Sequence, residues 1–354
     1  MDAGDGFGIE ARTEGIEMKI KDIAAKAGVS TATVSNVING NFHKVSEKTI
    51  RRVQKIIEEN DYQPSAMARS LALKESRIIG VVMPYLGEDE AFSASPYYEK
   101  MLSFLEKFVR KQGYYLMIRS VGECKEMIPV FTTWNVDGLI LLGPNREEVA
   151  EIEKRINIPT VYIDSYAPDA DIVNVGIDDY KGGYLAAEYL MEKGHRKIAY
   201  VGPDQAESGV VNERFRGFCD ALQSRGIVVT EEQIFKTWTI YNEGVDAGKR
   251  IAYSDMQFTA VVTMSDILAF GVMEGLRLCG LDVPQDISVV GFDNLPECCY
   301  SYPQLTTVSQ NMQRKAELAG EYLFKMIEHK EKLVINEKIG VELIERQSVR
   351  ELHS

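Results

Sequence analysis

KIKDIAAKAGVSTATVSNVINGN, residues 19–41, spaces two short apolar stripes on either side of a glycine. In a helix over Ile20–Lys26, residues Ile23, Ala24 and Ala27 share one face, and Gly28 is a natural C-terminal stop. Ser30 stands where its hydroxyl can cap a second helix, Thr31–Ile38, with Val34, Val37 and Ile38 as its stripe. Asn39-Gly40 ends that helix. So short a turn forces the two helices to cross steeply, as in a helix-turn-helix. Ser46 caps a third helix; Val45 and Ile50 have the spacing of a hydrophobic staple, and Val53, Ile56 and Ile57 continue the inner face.

Outward from this head the character changes twice. Pro64 opens SAMARSLALKES, a stretch with helical spacing that is too short to stand alone, because helix nucleation is costly. Residues 62–77 therefore read as a linker that becomes helical only against a partner. Upstream, residues 1–17 are Gly- and acid-rich, and read either as a flexible tail or as an extension before a start at Met18. Downstream of Arg77, apolar runs at 78–83, 115–118, 138–142, 160–163, 198–201, 260–263 and 288–292 alternate with amphipathic stretches at 97–112, 182–193, 214–225 and 266–279. Strands that alternate with helices and are apolar on both faces mean parallel sheets covered on each side, and their number suffices for two lobes. Ligands of open α/β sheets lie beyond the carboxyl ends of the strands. Pro84, Gly143-Pro144, Asp164, Pro203 and Asp293 thus fall near the functional rim.

The chain has 354 residues, 45% hydrophobic, with net charge −13, enough for two or three folded units. As a whole that acidity argues against nucleic acid; by segment it does not. Residues 18–77 hold eleven bases and six acids, a balance of +5, whereas residues 78–354 balance to −14. A compact basic block before an acidic body is the asymmetry of a nucleic-acid-binding head. The five cysteines form no Cys-x-x-Cys pair and the four histidines are scattered, so neither a disulfide framework nor a metal site is expected, and no cofactor is implied. No stretch approaches the ~20 apolar residues of a membrane span, and the N-terminus lacks a signal-peptide pattern, so a cytoplasmic protein is expected. Gly-x-Gly-x-x-Gly, phosphate-loop, Gly-x-Ser-x-Gly and His-Glu-x-x-His motifs are absent, and no catalytic residue is assigned.

The head motif, VSEKTIRRVQKIIEENDYQPSAMARSLA behind it, and RIIGVVMP, VDGLILLGP, GHRKIAYVGP, ERFRGFCDAL, DISVVGFDN and QLTTVSQN in the body together resemble the lactose-repressor/galactose-repressor (LacI/GalR) family of transcription regulators. The resemblance runs from Met18 to about Arg350. It implies a head at 18–61, a hinge helix at 62–77, and a two-lobed body at 78–350 similar to periplasmic sugar-binding proteins. Lobe 1 would take about 78–176 and 307–335, lobe 2 about 177–306 and 336–350. By resemblance Thr31, Ala32 and Asn36 face base edges, and Ser30, Thr33, Ser35 and Asn39 contact phosphates of double-stranded DNA. Ala68, Leu71 and Ala72 hold the place of the family's minor-groove hinge, with Leu71 as the wedge that kinks the duplex. The family commonly has a basic residue where this chain has Asn36; Asn suits adenine and Arg guanine, so the operator sequence does not carry over. The loop 41–44 is one residue longer than usual. Two heads on adjacent half-sites require a homodimer and an approximately palindromic operator.

In the cleft, the resemblance makes Arg214 the effector-binding arginine, and Asp164 and Asp293 the hydroxyl-binding carboxylates. Ser265, Gln310 and Met312 take further pocket positions, Tyr97 and Tyr98 an aromatic pair, and Trp238 the aromatic platform. Carboxylates, an arginine and rings suit a neutral polyhydroxylated ring, a sugar or glycoside, with a purine or a partner protein as alternatives. Each position also has a plainer reading: the aspartates as loop caps, Arg214 paired with a body carboxylate, Trp238 in the core. A cytosolic sugar-binding protein without a DNA role is the competing class, opposed by the basic head. Asp178-Asp179 is an adjacent acid pair whose side chains are expected to diverge. The acidic insertion 85–95 is either a lid or a solvated loop.

Overall fold

The computed structural model describes residues 18–62, 75–84, 95–122, 126–204 and 209–352. The extension 1–17, the hinge positions Ala68, Leu71 and Ala72, and all of the acidic insertion but Ser95 lie outside these residues. The chain divides into two compact units between Ser76 and Arg77.

The head is built as its caps dictate. Helix α1 (Ile20–Ala27) stops at Gly28 in the left-handed conformation, φ 62°. Ser30 caps α2 (Thr31–Ile38) by accepting from the Thr33 amide, and Ser46 caps α3 (Glu47–Glu59) by accepting from the Thr49 amide. Ile23, Ala24, Ala27, Val34, Val37 and Val53 form its buried centre, with Val45 and Ile50 packed beside it. This core is small, so the caps matter: each contributes about 1 kcal/mol to helices too short to persist alone.

The body consists of two six-stranded sheets. The first has strand order β11-β5-β4-β3-β1-β2, from β1 (Ile78–Pro84), β2 (Tyr115–Val121), β3 (Gly138–Leu142), β4 (Thr160–Ile163), β5 (Val173–Ile177) and β11 (Ile335–Ile339). All its pairings are parallel. The second has order β12-β10-β9-β8-β6-β7, from β6 (Ile198–Gly202), β7 (Ile234–Lys236), β8 (Ala260–Thr263), β9 (Ser288–Asp293), β10 (Thr306–Ser309) and β12 (Glu342–Ile344). It is parallel except for the antiparallel pair of β12 with β10. Helices α4 (Pro96–Lys111), α5 (Met127–Thr133), α6 (Arg146–Arg155) and α11 (Met312–His329) accompany the first sheet. Helices α7 (Asp179–Glu192), α8 (Val210–Ser224), α9 (Tyr241–Ala252) and α10 (Asp266–Leu278) accompany the second.

The chain passes between the lobes three times: after β5, between β10 and α11, and between β11 and β12. This moves the expected lobe boundaries. Strand 306–309 belongs to lobe 2, not lobe 1 from residue 307, and strand 335–339 belongs to lobe 1, not lobe 2 from 336. Both strands escaped notice for a physical reason. TTVS is mostly polar, and INEKI is an edge strand with three polar residues between its two isoleucines, so neither forms an apolar run.

Candidate functional site

In the head, Thr31 and Ala32 are exposed at the first turn of α2, and Asn36 follows about one turn later, half-buried. The four phosphate candidates already have partners within the protein. Ser30 Oγ accepts from the Thr33 amide at 3.1 Å and lies 2.9 Å from Thr33 Oγ1; Asn39 Nδ2 donates to Ser35 Oγ at 3.2 Å. Hydroxyls so occupied keep lone pairs or protons for a further bond. Residues 42–44 form one 3-10 turn that carries His43, exposed, between α2 and α3.

In the body, the strand ends and the three crossings bring most of the expected cleft residues together. Asp164 follows β4 at φ 56° and Asp293 ends β9 at φ 126°, left-handed turns that short polar side chains tolerate. Tyr97, in the first turn of α4, donates its phenolic proton to Asp164 Oδ2 at 2.6 Å, and its ring meets Tyr98 edge to face at 5.3 Å. Burial and the nearby aspartates push both phenols well above their ordinary range, so they are neutral donors. Gln310, at the second crossing, donates from Nε2 to Asp293 Oδ1. Arg214, on α8, donates from Nε to Asp179 Oδ1 at 2.8 Å and from Nη1 to the Met264 carbonyl at 2.9 Å. Its guanidinium carbon stacks 3.6 Å from the Phe292 ring centre, and Nη1 lies 4.0 Å from Asp293 Oδ1.

Three further groups belong here that the sequence does not assign to the cleft. Lys315, on α11, is wholly buried; its ammonium donates to both oxygens of Asp164 at 2.8 Å and to Gln310 Oε1 at 2.7 Å. Its signal was there to read: Lys315 sits on the apolar stripe of Met312, Ala316, Ala319 and Leu323, where a charge has no place without a partner. Asp179, the second acid of the adjacent pair, is buried and accepts from Tyr166 as well as Arg214, whereas Asp178 turns away to cap α7. Asp266 opens α10 and accepts from Thr307 Oγ1 at 2.6 Å and the Leu295 amide at 2.8 Å. Burial pushes the Asp266 carboxyl up to about 6. It also pushes Asp293 up to about 8, with the charge of Asp266 adding and Arg214, Gln310 and Lys315 opposing.

A continuous polar chain results. It runs from Tyr97 through Asp164, Lys315 and Gln310 to Asp293 and Arg214, then to Asp179 and Tyr166. Tyr166–Asp179 and Lys315–Gln310–Asp293 both span the lobes, so this network bridges them. The other expected residues are placed differently. Ser265 is the N-cap of α10, accepting from the Leu268 amide, and Met312 is buried in the hydrophobic core. Trp238, 75% exposed, stands in the loop after β7 and outside this network.

The pattern described as "Bacterial regulatory proteins, lacI family" matches residues 19–65, and that described as "Periplasmic binding protein-like domain" matches residues 187–349. The HTH-type transcriptional repressor PurR of Erwinia tasmaniensis is 34% identical over 337 residues, covering 93% of this chain and 96% of that one. A lac repressor dimer bound to operator and the anti-inducer ONPF is 25% identical with TM-score 0.81, covering 94% of this chain and 99% of that one. A complex of the transcriptional regulator CelR with cellobiose is also 25% identical, with TM-score 0.70 and the same coverage. No helix among the described residues is long and apolar enough to cross a membrane. Head, cleft and connecting order thus agree over nearly the whole length, and the chain belongs to the lacI family of bacterial regulatory proteins, DNA-binding repressors of transcription that respond to small molecules.

Proposed function

We propose that the protein acts as a homodimeric repressor whose operator is an approximate palindrome and whose effector is a sugar or glycoside held in the interlobe cleft. The observation that carries the effector class is the convergence of Asp164, Asp293 and Arg214 with Tyr97 and Tyr98 on the crossings between the lobes. Carboxylates accept from hydroxyls, the guanidinium donates to ring and hydroxyl oxygens, and aromatic rings cover C–H faces. The cellobiose complex of CelR supports the same class. Thr31, Ala32 and Asn36 read bases, while Ser30, Thr33, Ser35 and Asn39 hold phosphates. Effector binding resets the network that links the lobes, and with it the linkers that follow the heads. Linkage then requires operator and effector to change each other's affinity by one common factor.

A thermal-shift screen of the full chain against sugars, nucleosides and amino acids tests this reading. A sugar should raise the melting temperature, and Arg214→Ala and Asp293→Ala should abolish that rise. A response to purine bases alone, with none to any sugar, overturns the effector assignment.

A further inference from the structure

Asp164 stands where a free carboxylate would be the strongest acceptor in the cleft, yet it is not free. Lys315 donates to both of its oxygens at 2.8 Å, and Tyr97 donates to one of them at 2.6 Å. The Lys315 side chain is 0% exposed and that of Asp164 is 11% exposed, so solvent reaches the carboxylate and not the cation behind it. The ammonium also donates to Gln310, whose amide is spent on Asp293, and lies 3.4 Å from the Tyr97 hydroxyl. Lys315 therefore has no reach toward a ligand. What it does is cancel, from behind, the charge of a group that faces one.

Charge sorting by the site follows from this. Lys315 and Arg214 match Asp164 and Asp179 one for one, and the carboxyl of Asp293 is pushed up to about 8, so the network holds no free cation. An anionic ligand finds no unpaired cation there. A cationic ligand finds Asp164 already neutralised by a charge that cannot leave without exposing a buried, unpaired carboxylate. We infer that Lys315 is a specificity-determining residue of the effector cleft: it supplies internally the positive charge that Asp164 would otherwise take from a ligand, and so restricts the effector to uncharged molecules. This rests on the cleft's being the effector site, but not on the effector's being a carbohydrate.

The experiment compares wild type, Lys315→Met and Lys315→Met/Asp164→Asn as full chains, by thermal shift and calorimetric titration at pH 7. Met keeps the straight aliphatic stem and removes only the charge. The probes are cellobiose, glucose, glucosamine, glucose 6-phosphate, hypoxanthine and inosine monophosphate. Wild type should bind only uncharged members. Lys315→Met should bind glucosamine at least about tenfold more tightly than wild type does, with glucose changed far less, and Asp164→Asn in that background should erase the gain. Hypoxanthine as the sole wild-type ligand would refute the carbohydrate reading while agreeing with the charge rule. Wild-type binding of glucosamine or either phosphate, or an unaltered glucosamine response in Lys315→Met, overturns the inference. If no probe binds, the ligand-free melts decide: Lys315→Met should melt lower than wild type and the double variant should recover at least half the loss. Further loss in the double variant overturns the inference.

Discussion

Replacing Gly183 by alanine would test how the candidate arginine is held. Helices α7 and α8 approach so closely that a Cβ on Gly183 would lie 1.9 Å from the Arg214 carbonyl oxygen, and one on Gly217 would lie 2.0 Å from that of Tyr180. Real Cβ atoms essentially never come within 3.0 Å of a neighbour, and both obstacles are backbone, so no side chain can swing away. The helices must separate by about 1 Å, which for overpacking of a tight core costs about 1–3 kcal/mol. For a body of this size that corresponds to a melting temperature lower by roughly 2–8 °C. Because the displaced carbonyl belongs to Arg214 itself, its bonds to Asp179 and Met264 move with it, and effector affinity should fall alongside stability. The assay is thermal unfolding of Gly183→Ala beside Gly122→Ala, where an added methyl meets nothing within 4 Å. Equal melting temperatures for the two variants would refute the packing argument. A normal effector response in a destabilised Gly183→Ala would refute the coupling to Arg214.

Three further outcomes follow from the geometry. Asp179→Ala strands the buried Arg214 guanidinium and the Tyr166 hydroxyl, and should cost about 3–5 kcal/mol in urea unfolding, whereas Tyr166→Phe should cost only about 1 kcal/mol. Asp293 has a folded-state pKa raised to about 8, so the native state holds its proton more tightly than the unfolded chain. Its stability contribution is full at low pH and is lost as pH rises through about 8. The melting temperature of wild type minus that of Asp293→Asn should therefore fall between pH 5 and pH 9, and a constant difference would contradict the shift. In operator selection, Asn36→Arg should change the preferred base at the position it contacts from adenine toward guanine, at about 1–3 kcal/mol of discrimination. An unchanged selected sequence would remove Asn36 from the base-facing set.

The head was legible almost residue by residue, because short helices depend on caps and caps are written in local sequence: Ser30, Ser46 and Gly28 all act as their positions imply. Apolar runs revealed seven strands of the body, six of them because they are buried on both faces; the seventh, β2, is a largely exposed edge strand. Strands β10 and β11 carried no such run, and they are the elements that decide where the chain changes lobes. The site divides along a similar line. Asp164, Asp293, Arg214 and Gln310 came from motif resemblance, and the structure brings them into one network. Lys315 and Asp179 belong to the same network but were not chosen. The apolar stripe marks Lys315 as a charge in need of a partner, but the partners of Lys315 and Asp179 lie 151 and 35 residues away, and no local pattern names them at such separation.

Operator binding measured with and without effector addresses the account most directly. Fluorescence anisotropy of the full chain on a duplex obtained by in vitro selection, at 50 and 200 mM salt, reads both ends of the molecule. Binding should weaken steeply with salt, as the +5 balance of residues 18–77 requires, and the effector found by thermal shift should change it severalfold in wild type but not in Arg214→Ala. Operator affinity indifferent to that effector in wild type, or an equal response in Arg214→Ala, would contradict a cleft that communicates with the DNA-reading head.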